Sequence, residues 1–519
     1  MRKTATALSL ILTGFAATAA YAENFDLVIA NGRVMDPETG FDQVANVGVN
    51  NGVITAITTD AIEGARTIDA TGHVVAPGFI DGHVHVVDSP FGQKAALRDG
   101  LTTALDLESG AYPVDLWYDN LDGTSQLNYG ATVSGAAART FTFDPLYVSD
   151  KGNIIPDVFA GKVTSFDWST RIVTDEERAK VFDVVEEGLK RGALGIGMPV
   201  GYMINGTTTI DMIGMQKLAA EYNSFTHIHT RFSSQAPPAS AMLGFMEIMD
   251  PASTYGGGTI IAHFTGQALG VTEPAMEYVD DVNDAGAAVQ LEMYPYNFGS
   301  AGTGISADYL QIDNLTRNMG RTYEDIIDTQ TGETLTKETY EKYLREEPHR
   351  PVMFYHVTEE DMYKALSNPE VIIGCDCFPA SDPETGALVT DWDTPWDKAN
   401  THPRGSGTRG IMLRLQREGK IDLTLMQAIS KMSYQWAAFL EEHGVEQMAR
   451  KGRLQVGADA DITVFDPETV TDNSTLELGK NALPTTGIPY VIVNGTVVVD
   501  DSVVQRVFPG KPIRNPIIE

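Results

Sequence analysis

From residue 79 to residue 377, short apolar runs alternate with longer amphipathic stretches. Eight runs read as strands: 79–85, 103–108, 129–138, 193–200, 224–230, 258–265, 289–296 and 371–377. Between several of them the apolar period shifts from two to about 3.6, the spacing of a helix. Asp175 to Arg191 carries Val181, Phe182, Val185 and Leu189 among many charges, and Met212 to Tyr222 is similar. Strands alternating with helices predict a parallel α/β sheet, and eight such units predict a TIM-like (β/α)8 barrel.

The two ends are patterned differently. Phe25 to Ile68 holds short β-rich pieces, with hairpin signals at Asn31-Gly32 and Asn51-Gly52. Ala458 to Phe465, Tyr490 to Val493 and Thr496 to Val499 repeat that pattern, with Asn494-Gly495 as the turn. This predicts a small β-sandwich domain built from both termini, residues 23–75 and 452–519, with the barrel of residues 76–451 inserted between them. Residues 305–350 are polar and charged. They read as an insertion over the barrel mouth, either a substrate lid or a surface excursion.

Residues 1–22 read as a secretory signal peptide: Met1-Arg2-Lys3, an apolar run from Ala7 to Ala20, and a small-x-small site at Ala20-Tyr21-Ala22. That run is too short to span a bilayer, and no later run is long enough. The expected location is periplasmic or secreted. The net charge is −33, from 37 basic and 70 acidic residues. Nucleic acid is excluded as a partner, because phosphate binding needs clustered Lys and Arg. The same charge repels anionic substrates at long range, so a carboxylate-bearing substrate needs local arginines. Cys375 and Cys377 flank Asp376 and are the only cysteines. On an extended strand, residues i and i+2 make a poor disulfide, so both thiols are expected to pack around the strand end.

The candidate chemistry lies at the strand ends. Only ten histidines are present, and His83-Val84-His85 follows an apolar strand in which Gly78 and Gly82 allow turning and close approach. Alternate residues share a face, so two imidazoles in that spacing can bind one ion. His227 and His229, then His263, end later strands, and Asp376 ends the last. In a parallel barrel these ends converge on one mouth, where such residues make a metal site.

An ordered set of motifs resembles the amidohydrolase superfamily and, more narrowly, the D-aminoacylase (N-acyl-D-amino-acid deacylase) group. The matching pieces run from Ala76 to His85 (A-P-G-F-I-D-G-H-V-H), Gly100 to Thr103, Gly192 to Gly197, and His229-Thr230-Arg231. Tyr294-Pro295-Tyr296, His402-Pro403-Arg404 with Gly405, Gly407 and Thr408, and Arg453 to Pro467 complete the set. The resemblance implies a distorted TIM barrel with a terminal β-domain and a zinc-dependent hydrolase site. It departs from the group after the Gly-x-Thr-Thr strand. The group has a cysteine metal ligand there, and this chain reads Ala104-Leu105-Asp106-Leu107-Glu108-Ser109-Gly110. Asp106 and Glu108 share a face, and Glu108, nearer the mouth, is the expected ligand, able to bridge two metals. A place behind a ligating histidine is its other reading. The fourth strand carries no lysine that could be carboxylated.

On this reading one or two Zn2+ ions are held by His83, His85, Glu108, His229 and His263. His227 shares a face with His229, and the His-x-Arg match favours His229. Asp376 is the expected general base. Arg404 is expected to hold a substrate carboxylate. Tyr202, Tyr294, Tyr296 and Ser300 could add hydroxyl donors, and Arg231 could bind substrate or support the site. The expected substrate is a small N-acyl amino acid, with the D configuration as the first reading. A different amide, peptide, cyclic amide or ester, and a non-catalytic metal-binding protein, are the rivals.

Overall fold

Eight strands, one from each apolar run, pair side by side in the computed structural model, which describes residues 24–518 apart from residues 145, 160–161, 164, 234–239, 302–303, 307–309 and 349. The expected signal peptide, residues 1–22, lies outside the described residues. The strands are β1 (Phe79–Asp81), β2 (Leu101–Ala111), β3 (Asn128–Ser134), β4 (Ile196–Met198), β5 (Phe225–Ile228), β6 (Gly258–Ile261), β7 (Ala288–Met293) and β8 (Ile372–Ile373). They neighbour one another in sequence order, and every pair is parallel. The sheet closes just past β1 and β8. His85 N donates to Cys377 O at 3.0 Å, and Cys377 N donates to His83 O at 3.2 Å. The fold is therefore a TIM-like barrel, sealed by the two segments that carry His83, His85 and Asp376.

Ile80, Leu105, Phe225, Ile260 and Ile372, from β1, β2, β5, β6 and β8, pack into one buried cluster and so point inward. Trp436 joins them from below, and a Cβ on Gly82 would stand 2.2 Å from its ring, so only glycine fits there. The outer faces of the strands carry helices, as a buried parallel sheet requires. The helix Asp175–Lys190 shows why they form. Thr174 caps it in a reciprocal box with Glu177, acids fill its first turn and Lys190 its last, each suiting the helix dipole. Its buried face is Val181, Val185, Gly188 and Leu189. Losing the cap would cost about 1 kcal/mol.

The termini build one nine-stranded sheet. Asn24–Asp36, Phe41–Asn50, Val53–Thr58 and Glu63–Asp69 come from the N-terminal side. Ile462–Phe465, Tyr490–Val493, Thr496–Asp500 and Val503–Val504 come from the other end, and Val74–Pro77 joins the two groups. Leu27, Ile29, Val47, Ile462, Val464 and Ile492 share its core. The strand Val74–Pro77 leads from this sheet toward the barrel. The last residues return to the barrel. Ile513 is buried in the inward-facing cluster, and its N–H donates to Tyr129 O at 2.7 Å. This tail is irregular, so it carries no periodicity from which its place could be read.

The described residues between 305 and 350 belong to a unit around the antiparallel sheet of Phe298–Ala301, Val352–Tyr355 and Ile326–Asp328. Ile305, Leu310, Leu315, Ile326, Leu335 and Tyr340 give it a core of its own. Its first and second strands bring Ser300, Phe354 and His356 to the barrel mouth. Among the described residues no helix is long and apolar enough to cross a membrane.

Candidate metal centre

Five histidines and four carboxylates meet where the strands end. His83 and His85 follow β1, Asp106 and Glu108 lie on β2, and His227 and His229 lie on and just beyond β5. His263 follows β6, Glu292 lies on β7 and Asp376 follows β8. All but His229 are buried, and that ring is largely covered. Tertiary position overrides local backbone preference here, since His263 has φ +31° and Asp376 φ +49°.

The separations are those of ligands around an ion. Bonds of about 2.1 Å place tetrahedral ligand atoms about 3.4 Å apart. His83 Nε2 and His85 Nε2 lie 3.4 and 3.5 Å from Asp376 Oδ1. The same two atoms lie 3.9 and 3.6 Å from Glu108 Oε2. The other oxygen, Glu108 Oε1, lies 3.4 Å from His229 Nδ1, and His263 completes that second group. Neither His83 Nε2 nor His229 Nδ1 has a hydrogen-bond partner, although both are buried. Such orphaned nitrogens cost free energy unless something else binds them. Glu108 therefore turns one oxygen to each of two ligand groups. The donor set, imidazole and carboxylate, fits a divalent ion such as zinc.

The electrostatics point the same way. Burial pushes the Glu108 carboxyl up, but His229, His83 and His85 hold it down to about 2. Burial also raises Asp376, and the Arg404 guanidinium and His83 overcome this, leaving it well below the usual carboxylate value. His83 is lowered by burial yet raised overall by Asp376 and Glu292. His85 is raised further by Asp106, Asp376 and Glu108. Burial and His229 push His263 down to about 3. A dication would neutralise this collection of buried carboxylates and displace the protons that His83 and His85 otherwise take up.

Three of the groups were not singled out in the sequence as supports. Glu292 Oε2 accepts from His83 Nδ1 and from His263 N, both at 2.9 Å. Asp106 Oδ1 accepts from His85 Nδ1 at 3.2 Å. Gln267 lies 3.2 Å from His229 Nε2. Each fixes the ring whose other nitrogen faces the centre. The one available signal was a charge inside an apolar strand, as in Val289-Gln290-Leu291-Glu292-Met293. His227 sits below His83, 3.8 Å from Glu292, while His229 faces Glu108 and His263. Glu292→Gln should weaken metal affinity about 10- to 100-fold, the usual scale for such a support. Competition against a chromophoric chelator measures it, and unchanged affinity would remove Glu292 from the account.

Above the centre lies a pocket lined by Tyr202, His229, Arg231, Tyr294, Ser300 and His356, with Asp376 and Arg404 at its floor. Tyr202 stacks edge-on to His229. Tyr296, expected to donate here, does not line the pocket. Its hydroxyl turns to Pro403 O at 3.4 Å, because the chain bends into Phe298–Ala301 and packs Tyr296 beside Phe298 and His402. Tyr294 lines the pocket instead, with its hydroxyl 3.0 Å from His356 Nε2. Arg231 lines the wall, but its guanidinium is bound to Glu247 and Thr207 O, a supporting arrangement. Arg404 Nε donates to Asp376 O at 2.7 Å, and Nη2 lies 2.7 Å from Asp376 Oδ2. That second contact is close but badly angled, so Nη2 has no true hydrogen-bond partner.

Cys375 and Cys377 also differ from expectation, since they form a disulfide. Regular pairing ends at Ile373, and the left-handed turn at Asp376 brings the flanking Cα atoms to 5.0 Å. An extended strand would hold them about 6.7 Å apart.

No family model matches the chain. It is 26% identical over 502 residues to N-acyl-D-glutamate deacylase of Alcaligenes xylosoxydans xylosoxydans, covering 92% of this chain and 94% of that protein. It is 25% identical over 524 residues to D-aminoacylase of the same organism, covering 92% and 95%. In fold it matches the crystal structure of N-acyl-D-glutamate deacylase from Bordetella bronchiseptica, complexed with zinc and a phosphonate mimic of the tetrahedral intermediate. The TM-score is 0.74 at 23% identity, covering 95% of this chain and 100% of that one. Across 92% of its sequence, and in its fold, this chain resembles the D-aminoacylase group of amidohydrolases.

Proposed function

We propose that this protein is an exported, zinc-dependent hydrolase that cleaves the amide bond of N-acyl amino acids, with preference for the D configuration. The observation that carries the proposal is Glu108, which turns one oxygen to His83 and His85 and the other to His229, with Asp376 against the first group. Amide hydrolysis needs an activated water, a polarised carbonyl and a proton for the leaving nitrogen. Bound zinc would supply the first two, by lowering the pKa of a water and acting as a Lewis acid. Glu108, His83 and His85 would hold one ion, and Glu108, His229 and His263 the other. Asp376, kept ionised beside Arg404, takes the proton from the attacking water and delivers it to the leaving nitrogen. The resemblance to deacylases of N-acyl-D-amino acids supports the substrate class, and residues 1–22 support export.

Arg404 links substrate to base. Its Nη2 is buried and ion-paired at 2.7 Å with Asp376 Oδ2, in a contact outside hydrogen-bonding geometry. A substrate carboxylate would supply an acceptor, in the forked geometry that lysine cannot reproduce. Arg404→Lys should therefore lower kcat/KM by about 1–3 kcal/mol, the range of a charged hydrogen bond, with metal content unchanged. The loss should be smaller on an analogue whose carboxylate is amidated. Equal losses on both would confine Arg404 to holding Asp376. The proposal as a whole is tested by a turnover screen of N-acetyl-D- and N-acetyl-L-amino acids with added zinc. Hydrolysis of D substrates is expected, and a zinc-loaded protein inert toward all of them would overturn the proposal.

A further inference from the structure

The turn that carries Asp376 is tied three times to the Asp81–His85 segment. Cys375 N donates to Asp81 Oδ2 at 2.9 Å, Cys377 N donates to His83 O at 3.2 Å, and His85 N donates to Cys377 O at 3.0 Å. Asp81 in turn accepts from His83 N at 2.8 Å and pairs with buried Arg409. These bonds fix the two shoulders of the turn against the histidines. Asp376 itself, at the apex, holds a left-handed backbone, which aspartate adopts more readily than most residues with a Cβ but which departs from the extended strand before it. Its carboxylate must nevertheless stand within 3.5 Å of both His83 Nε2 and His85 Nε2. The disulfide spans that apex, joining the residues on either side.

We propose that the Cys375–Cys377 disulfide is a clasp that positions Asp376, so that the hydrolase is fully active only when the two sulfurs are joined. The inference rests on Asp376 being the general base. With the bond closed, the flanking Cα atoms stay at 5.0 Å and Asp376 cannot relax toward the extended strand that its neighbours Ile372 and Ile373 begin. Reduction breaks the S–S bond, and two electrons and two protons convert it to two thiols. A phosphine reductant supplies the electrons and, taking an oxygen from water, becomes the phosphine oxide. Both sulfurs are buried, so the bond is shielded from casual reduction, and closing it takes a two-electron oxidant such as a small-molecule disulfide, which is reduced to two thiols as the bond forms.

The first test is a thiol titration of the zinc-loaded wild-type protein, denatured without reductant. No free thiol is expected. Two free thiols per chain would overturn the clasp, whatever the substrate proves to be, and would instead leave Asp81, Cys375 and Cys377 as a possible ion-binding group. The second test is the double variant Cys375→Ser/Cys377→Ser, assayed on the best substrate of the wild-type protein. Its kcat should fall about 10- to 100-fold, the scale of a misplaced catalytic group, with KM within about twofold and metal content unchanged. An unchanged kcat would overturn the proposal. So would a loss of metal, since the disulfide would then be holding the ligands rather than the base. If the double variant does not fold, wild-type protein reduced with a phosphine and then reoxidised should lose and regain kcat in step with its thiol count. Activity that ignores the thiol count would overturn the clasp. Failure of the substrate proposal would appear separately, as a disulfide-bonded protein with no turnover at all.

Discussion

Asp376→Asn is expected to lower kcat/KM at least about a hundredfold while leaving the fold and most of the bound metal in place. The substitution is close to isosteric, and asparagine tolerates the left-handed backbone that position 376 requires. All three ties of the turn, at Cys375 N, Cys377 N and Cys377 O, use its backbone groups and are untouched. Oδ1 is the atom nearest both imidazoles, at 3.4 and 3.5 Å, and the amide oxygen can still stand there. What asparagine cannot do is accept a proton from water and return it to a leaving nitrogen. Steady-state kinetics together with metal analysis check the prediction. Near-normal turnover at full metal content would show that Asp376 is not the base. Loss of metal along with activity would make it a ligand first.

Glu108→Ala should have the second large effect, the loss of bound metal and with it more than about a hundredfold in activity, whereas Ser109→Ala should do little. Support residues behind a ligand cost about 10- to 100-fold when removed, and Glu108 faces both ligand groups at once. Its removal would leave His83, His263 and Asp376 as a link between the two sides, without the carboxylate that serves both ligand groups. Ser109 is the neighbour that an ungapped match on the two threonines would align with the group's cysteine. Its hydroxyl is buried with no hydrogen-bond partner. A hydroxyl is also a weak zinc ligand beside a carboxylate. Metal analysis of both variants decides the matter. Loss at Ser109 with retention at Glu108 would shift the strand register by one.

The barrel was legible because buried parallel strands leave an unmistakable trace, short apolar runs separated by helical periods. All eight runs became strands, although regular pairing kept only three residues in β4 and two in β8. The His-x-His spacing and the shared face of Asp106 and Glu108 follow from the two-residue period of a strand, and all four side chains converge. Supports were harder to see. Glu292 and Gln267 act through contacts between segments far apart in sequence, which a period along one strand cannot encode. Tyr296 was read as a donor from its place in the Tyr-Pro-Tyr motif, and the chain bends after Met293 and turns its hydroxyl to Pro403 O instead. The cysteines misled for the same reason: the disulfide exists because the backbone turns at Asp376, where the pattern implied an extended strand. The C-terminal tail has no period at all, and Ile513 is nevertheless buried in the cluster of inward-facing strand residues.

The central claim is that this set of residues hydrolyses an amide bond through bound metal. Its most direct test is a zinc titration of chelator-stripped protein, with turnover of an N-acetyl-D-amino acid followed at each addition. The account predicts no turnover without metal, and activity that appears as roughly one to two ions per chain are bound, the number the ligand groups can hold. Full turnover by protein shown to be free of divalent metal would contradict it.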